Sequence, residues 1–365
     1  MTQAGEDTHL RSMQRDVHSA EEAKYLDRRR RRRGVTIALL LLVAVIAMFF
    51  VCISLGSTRI PVHDVWEALM GRADWGTDWI VNDFRAPRVV GAAMVGAALS
   101  LGGMAMQALF KNPMASPSVL GISSGASFGA AFYLAYGTSV VVSGLGTVFC
   151  AFGMAMMTMI LVYGLAYRRV GGVQTTMLLL AGMAVSALFS GLTSTVEFFS
   201  DEETVTAIVF WMLGSFDGCG WSDVWMMMVP IIAGSVLIMI NLRELNLMTA
   251  GESKARALGV NVRNVRLMLL VGSSLLVAAS VSICGVISFV GLIIPHIFRS
   301  LIGPDHRKLA PVCLLGGALF LMLVDTFARC AMPPYELPVG VVTSIIGAPF
   351  FLWILRSRKT EIWRG

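Results

Sequence analysis

Ten apolar runs, most of them about 20 residues long and separated by short polar stretches, set the limits on what this chain can fold into. They cover 35–54, 89–109, 119–136, 145–167, 174–198, 224–241, 267–284, 286–298, 309–330 and 339–355. The expected fold class is therefore all-α: a polytopic membrane protein with about ten transmembrane helices. The eighth run is short for a crossing, and Gly285, Gly291 and Pro295 are placed to bend or break it. Composition agrees. Charged residues make up 14% of the 365 residues, against about a quarter in an ordinary soluble domain. The 36 glycines suit close helix packing in lipid.

Charge placement gives the spans a direction. With the N-terminus inside, 24 of the 29 Lys and Arg fall on the cytoplasmic side and five outside: Arg59, Arg72, Arg85, Arg88 and Arg329. Without the basic tail the count is still 15 against five. The positive-inside rule then puts both termini in the cytoplasm. Residues 1–34 read as a hydrophilic tail ending in Arg28–Arg33, an anchor for the anionic inner leaflet rather than a nucleic-acid contact. Residues 35–356 form the membrane domain, and 357–365 a short cytoplasmic tail. Two external segments are acidic, around Asp64–Asp83 and at Asp201-Glu202-Glu203, and read as solvated surface.

The chain lacks the signatures of self-powered chemistry. No G-x-x-x-x-G-K-[ST] is present, no HExxH, and no G-x-S-x-G. The six cysteines contain no CxxC pair, so neither a zinc site nor a disulfide framework is indicated. No metal ligands and no catalytic residues are expected. The spans hold few charges; Asp325 and Glu197, near outer ends, are the main exceptions and are expected to reach water. A proton or ion relay is thus missing, and energy is expected to come from outside the chain. A secondary transporter or channel for a small solute is the alternative, and it predicts transport that follows an ion gradient without ATP.

Three polar, Gly/Pro-rich stretches carry the functional expectations. The first joins Gln107 to Asn112-Pro113 and Ser116-Pro117, then Gly121 and Gly125. Its prolines end one helix and open the next, Asn112 and Ser116 can cap the exposed backbone, and its Gly-rich flanks can pack closely or line a pathway. The second is the cytoplasmic loop 242–266. Within it Gly251-Glu252 leads into a short amphipathic helix, Ser253 to Leu258, closed by Gly259. Its small Ala255 and Ala257 shape it to fit a partner's groove. The third holds Gly291, Pro295 and His296, the histidine at the cytoplasmic end of a short span, where a helix-end or interface role is commoner than a ligand.

These stretches, with Arg85-Ala86-Pro87-Arg88, Leu180-Ala181-Gly182, Trp211-Met212-Leu213-Gly214-Ser215, Glu336-Leu337-Pro338-Val339-Gly340 and Gly347-Ala348-Pro349, resemble the FecCD family over roughly residues 40–356. That family comprises permeases of ABC importers for iron–siderophores, haem and vitamin B12. The resemblance implies a type II importer permease fold in a bacterial or archaeal cytoplasmic membrane. It further implies a second permease copy, two cytoplasmic ATPase subunits that use the ATP, and an extracytoplasmic binding protein that delivers the chelate. No cofactor bound by this chain is implied. By the same resemblance Gly251, Glu252, Ala255, Leu258 and Gly259 couple to the ATPase. Arg85, Arg88 and Arg329 would meet carboxylates on the binding protein. Gln107, Asn112, Pro113, Ser116, Pro117, Gly121 and Gly125 would serve the pathway or gate. Gly291, Pro295, His296, Glu336, Pro338 and Gly340 would be structural.

Overall fold

A computed structural model describes residues 32–56, 58–137, 145–168, 172–173 and 175–362. Most of the basic tail lies outside the described residues; Arg32, Arg33 and Gly34 already belong to the first helix. The long helices are α1 (Arg32–Ser54), α4 (Ala86–Leu109), α6 (Leu145–Ala166), α7 (Thr175–Phe199), α9 (Trp221–Met239), α12 (Val262–Cys284) and α14 (His306–Cys330). Shorter apolar helices are α5 (Ile122–Tyr136), α13 (Val290–Ile302) and the first part of α15 (Val339–Ile362). These ten follow the ten apolar runs in order.

Four helices were not foreseen as separate elements. The outer acidic segment folds into α2 (Val62–Leu69) and α3 (Trp75–Trp79), and a π-helical turn, Ile80–Arg85, joins α3 to α4. After α7, the Asp201 carboxylate caps the amide of Thr204 and opens α8 (Glu202–Leu213). That helix is amphiphilic at its start and too short to cross. On the cytoplasmic loop, α10 (Leu242–Thr249) precedes α11 (Glu252–Ala257). A two-residue antiparallel pair, Tyr167–Arg168 with Gly172–Val173, closes the turn after α6.

The centre of the bundle is α4, α12 and α14, largely enclosed by protein, while α1, α7 and α9 turn most of their surface outward. Helix α4 packs along α14 on one side and along α12 and α13 on the other; α5 packs on α6 and α7. Close approach at the centre requires glycine. A Cβ on Gly103 would overlap the carbonyl of Gly291 in α13, and one on Gly96 would overlap that of Gly317 in α14. In lipid, where apolar side chains gain little by meeting each other, such backbone-to-backbone contact is a main source of helix association. Gly103→Val should therefore lower the melting temperature in detergent, at a cost of about 1–3 kcal/mol for overpacking. Gly153→Val, whose Cβ would meet open space, should not; equal melting of the two variants would refute this packing assignment.

Candidate functional site

Two spans are interrupted in the interior, and they face each other. After α4 ends at Leu109, Asn112 accepts a hydrogen bond from the Met114 amide at 2.9 Å and folds the chain back. Pro117 then packs against Gly102, so the returning chain has climbed about two turns back along α4 before α5 begins. Between them lie a 3-10 turn, Pro117–Leu120, and Gly121 in the left-handed region at φ +78°. Ser116 does not cap that turn as expected: its hydroxyl is 2.5 Å from that of Ser118, a nearer partner than the amides of the following turn.

The second interruption lies between α12 and α13. Gly285 (φ +68°) leaves α12 beside the Trp211 carbonyl, and residues 285–289 run inward without helical pairing to Phe289 (φ +67°), which packs on Gly347 of α15. Helix α13 starts only at Val290. Irregular backbone within a membrane span survives only where protein or a wet cavity satisfies it. Gln107 supplies part of that, donating from Nε2 to the carbonyls of Gly291 and Leu292 at 3.3 and 3.2 Å, while its Oε1 accepts from Arg299 at 2.8 Å. Gln107 is thus a buried brace between helices, not a lining residue. His296 sits mid-helix in α13 rather than at a span end, with its ring edge-on to Phe350 at 6.5 Å. The span begins later than its apolar run because residues 285–289 are not helical.

Between the two interruptions lies a cleft of about 190 Å³, bounded by Ser116, Ser118, Ser123 and Ser288 on its polar side and by Leu99 and Val277 on its apolar side. Among the described residues its lining carries no ionisable group. Gly121 and Gly125 do not face it; they let α5 approach α7 at Gly182 and α6 at Thr158 and Met154.

At the end of the bundle expected to lie outside, the three arginines expected to meet a partner are instead buried. Arg88 donates from Nε and Nη2 to Asp325 Oδ1, each at 3.0 Å, and its Nη1 is 2.8 Å from Glu336. Arg329 holds the other carboxylate oxygen of Asp325 at 3.2 Å and donates to the Cys52 carbonyl at 3.0 Å. Arg85 donates to the carbonyls of Ile53 at 2.8 Å and Thr58 at 2.6 Å. Arg85 and Arg329 so satisfy the free carbonyls at the C-terminal end of α1, where a helix dipole favours cations. Asp325, expected to reach water, is fully buried between Arg88 and Arg329. The burial has a simple cause: desolvated cations need an enclosed counter-charge, and α4 and α14 meet there. Glu336 closes the cluster from its half-exposed side, the Pro338 carbonyl accepts from the Val341 and Val342 amides of α15, and Gly340 passes close to the carbonyls of Leu213 and Val286.

At the other end of the bundle, where the loop 242–266 was expected to face the cytoplasm, α11 stands out. Gly251 enters it at φ +134° and Gly259 leaves it at φ +82°, both reserved for glycine. Ala255 is its buried contact, Leu258 projects outward at 67% exposure, and Glu252 turns back to ion-pair with Arg266 of α12. Helix α10 is held separately: the Asn246 amide donates to Asp305 at 2.8 Å, and Asn246 Oδ1 accepts from the His306 amide at 3.0 Å. On the outer surface His63 lies 3.4 Å from Asp64 and 3.7 Å from Glu67, an exposed pairing along one face of α2.

A many-helix bundle with two interrupted spans around an uncharged cleft, and with a short helix projecting on one face, defines a membrane transport protein. The family model described as the FecCD transport family matches residues 41–357, and the chain belongs to that family. It is 42% identical over 282 residues to the cobalamin import system permease protein of Halobacterium salinarum, covering 77% of this chain and 74% of that one. It is 37% identical over 309 residues to the hemin transport system permease protein of Yersinia pestis, covering 84% and 91%. To the iron(3+)-hydroxamate import system permease protein of Bacillus subtilis it is 35% identical over 311 residues, covering 85% and 80%. A solved structure described as an inward-facing conformation of a metal-chelate type ABC transporter superposes with a TM-score of 0.79 at 32% identity, covering 88% of this chain and 99% of that one.

The Asp325 cluster yields a stability prediction. Asp325→Ala strands two buried guanidinium groups and should cost about 3–5 kcal/mol. Glu336→Ala removes a half-exposed partner and should cost about 1 kcal/mol or less. Thermal denaturation of both variants in detergent compares them, and similar losses would contradict the central role of Asp325.

Proposed function

We propose that this chain is the permease subunit of an ATP-binding cassette importer that carries an iron–siderophore, haem or cobalamin across the cytoplasmic membrane. The observation that carries the reading is the pairing of an uncharged cleft at membrane depth with an exposed helix, α11, ion-paired to the long span α12. The cleft is bordered by serine hydroxyls and apolar walls, and among the described residues its lining holds no ionisable group to relay a proton or ion. That disfavours an ion-coupled carrier. The named functions of the relatives, cobalamin, hemin and iron(3+)-hydroxamate import, support a metal chelate as cargo.

In this reading two permease copies enclose the pathway, with both termini of each in the cytoplasm. ATPase subunits dock on α11 and drive alternation between outward- and inward-open states. Leu258, not Glu252, is the residue presented to the ATPase, because Glu252 is engaged with Arg266. An external binding protein delivers the chelate. With Arg85, Arg88 and Arg329 turned inward, exposed Arg59 and Arg72 are the outer cations within its reach.

The test is reconstitution with the cognate ATPase and binding protein in proteoliposomes. Leu258→Arg should leave folding intact and cut ATP-driven chelate uptake by about tenfold or more, as loss of a central interface anchor does. Undiminished uptake by that variant removes the docking assignment. Uptake by the unmodified protein that follows an ion gradient without ATP would establish the secondary-transporter reading instead.

A further inference from the structure

The N-terminal turn of α1 and the start of α14 do not close on each other. Between them lies a cavity of about 530 Å³, distinct from the central cleft. Val35 and Ala38 of α1 and Pro311 of α14 give it apolar walls, while Arg307 and Lys308 give it cationic ones. Gly34 is also in the lining, its Cβ position 3.9 Å from Lys308 Cβ. Arg32 and Arg33 lead directly into Gly34 and are exposed. One carboxylate, Asp305, shares the lining, but it is already engaged. It accepts from Asn246 at 2.8 Å and from the Arg307 amide at 3.1 Å, and Lys308 stands 3.4 Å away. Burial opposes its ionisation, yet these donors hold its carboxyl below the usual carboxylate range.

From this arrangement we propose that the cavity binds the headgroup of an anionic phospholipid, its phosphate between Arg307 and Lys308 and its acyl chains along α1. Charge complementarity selects an anion. The apolar side selects a lipid over a soluble phosphate, because α1 carries exposed Leu39, Leu42, Val43 and Ile46 beyond Ala38. Basic pockets between spans at the cytoplasmic boundary suit such headgroups. The assignment to the inner leaflet rests on the topology given under the proposed function. Through Asp305 the bound lipid would adjoin the Asn246 link to α10, so the site lies beside the cytoplasmic loop rather than on the solute path.

The experiment is native mass spectrometry of the full chain, extracted from vesicles containing phosphatidylglycerol and phosphatidylcholine. The unmodified protein should retain phosphatidylglycerol. Arg307→Gln and Lys308→Gln should each bind it about fivefold more weakly, with phosphatidylcholine retention unchanged and with Arg307→Lys restoring most of the binding. Equal retention by the glutamine variants overturns the site. Displacement of the lipid by millimolar inorganic phosphate overturns the lipid as occupant. Because Arg307 is exposed, Arg307→Gln should melt like the unmodified protein once both are stripped of lipid, where bound lipid no longer adds stability; a lower melting temperature of the lipid-free variant would assign the residue to folding instead and also overturn the proposal. Labelling of Arg307→Cys beyond that of its parent, with an impermeant maleimide in right-side-out vesicles and with the exposed Cys330 replaced by Ser, reports the topology separately. Labelling there would refute the inner-leaflet assignment while leaving the headgroup measurement to stand or fall by itself.

Discussion

A single buried carboxylate holds one end of this bundle together. Asp325 on α14 faces Arg88 of α4 with one oxygen and Arg329 of its own helix with the other. It is the one fully buried counter-charge that both arginines share, and removing one partner from such a group is far costlier than forming it is profitable. Arg329 in turn reaches the terminal carbonyls of α1, as does Arg85 from the π-helical turn before α4. The first span, mostly turned outward, is therefore fastened at one end by backbone acceptors and guanidinium donors. Specificity of position, more than net stability, is what a cluster of this kind supplies.

The interior follows a different rule. There the helices meet through bare backbone at Gly96, Gly103, Gly291 and Gly317, and two of the spans break instead of crossing. Broken spans expose amides and carbonyls that lipid cannot satisfy, so the breaks must face each other or face protein. Gln107 braces one of them, and the remaining polar edge becomes the serine-bordered cleft. Structural necessity and a solute route thus arise from the same interruption.

Much of this was legible in the sequence. Apolar run length gave the spans, since a helix must bring about 20 residues to cross, and glycine placement marked Gly285 as a break and Gly259 as the close of α11. What was not legible depended on contacts between distant residues. Arg85, Arg88 and Arg329 looked external because they flank spans, and only the meeting of α4 with α14 shows that they point inward. Asp325 looked wet for the same reason. The helix α8 was hidden because its apolar residues follow three acidic ones and fall short of a span. Gln107, read with the pathway, turned out to hold α13 because residue type alone cannot say which neighbour an amide will find.

The ion pair between Glu252 and Arg266 has a mechanical consequence. It joins α11 to α12 near the N-terminal end of a span that runs 23 residues, a rod of about 35 Å. A rod pivoting at that end multiplies small rotations: tilting it by about 5° carries its far tip through about 3 Å, by the rise per residue of an α-helix. At that tip stands Gly285, the first residue of the interrupted stretch. In the proposed importer, a partner that does no more than nudge a six-residue helix would thereby displace the border of the cleft, without any force having to pass through the cleft itself.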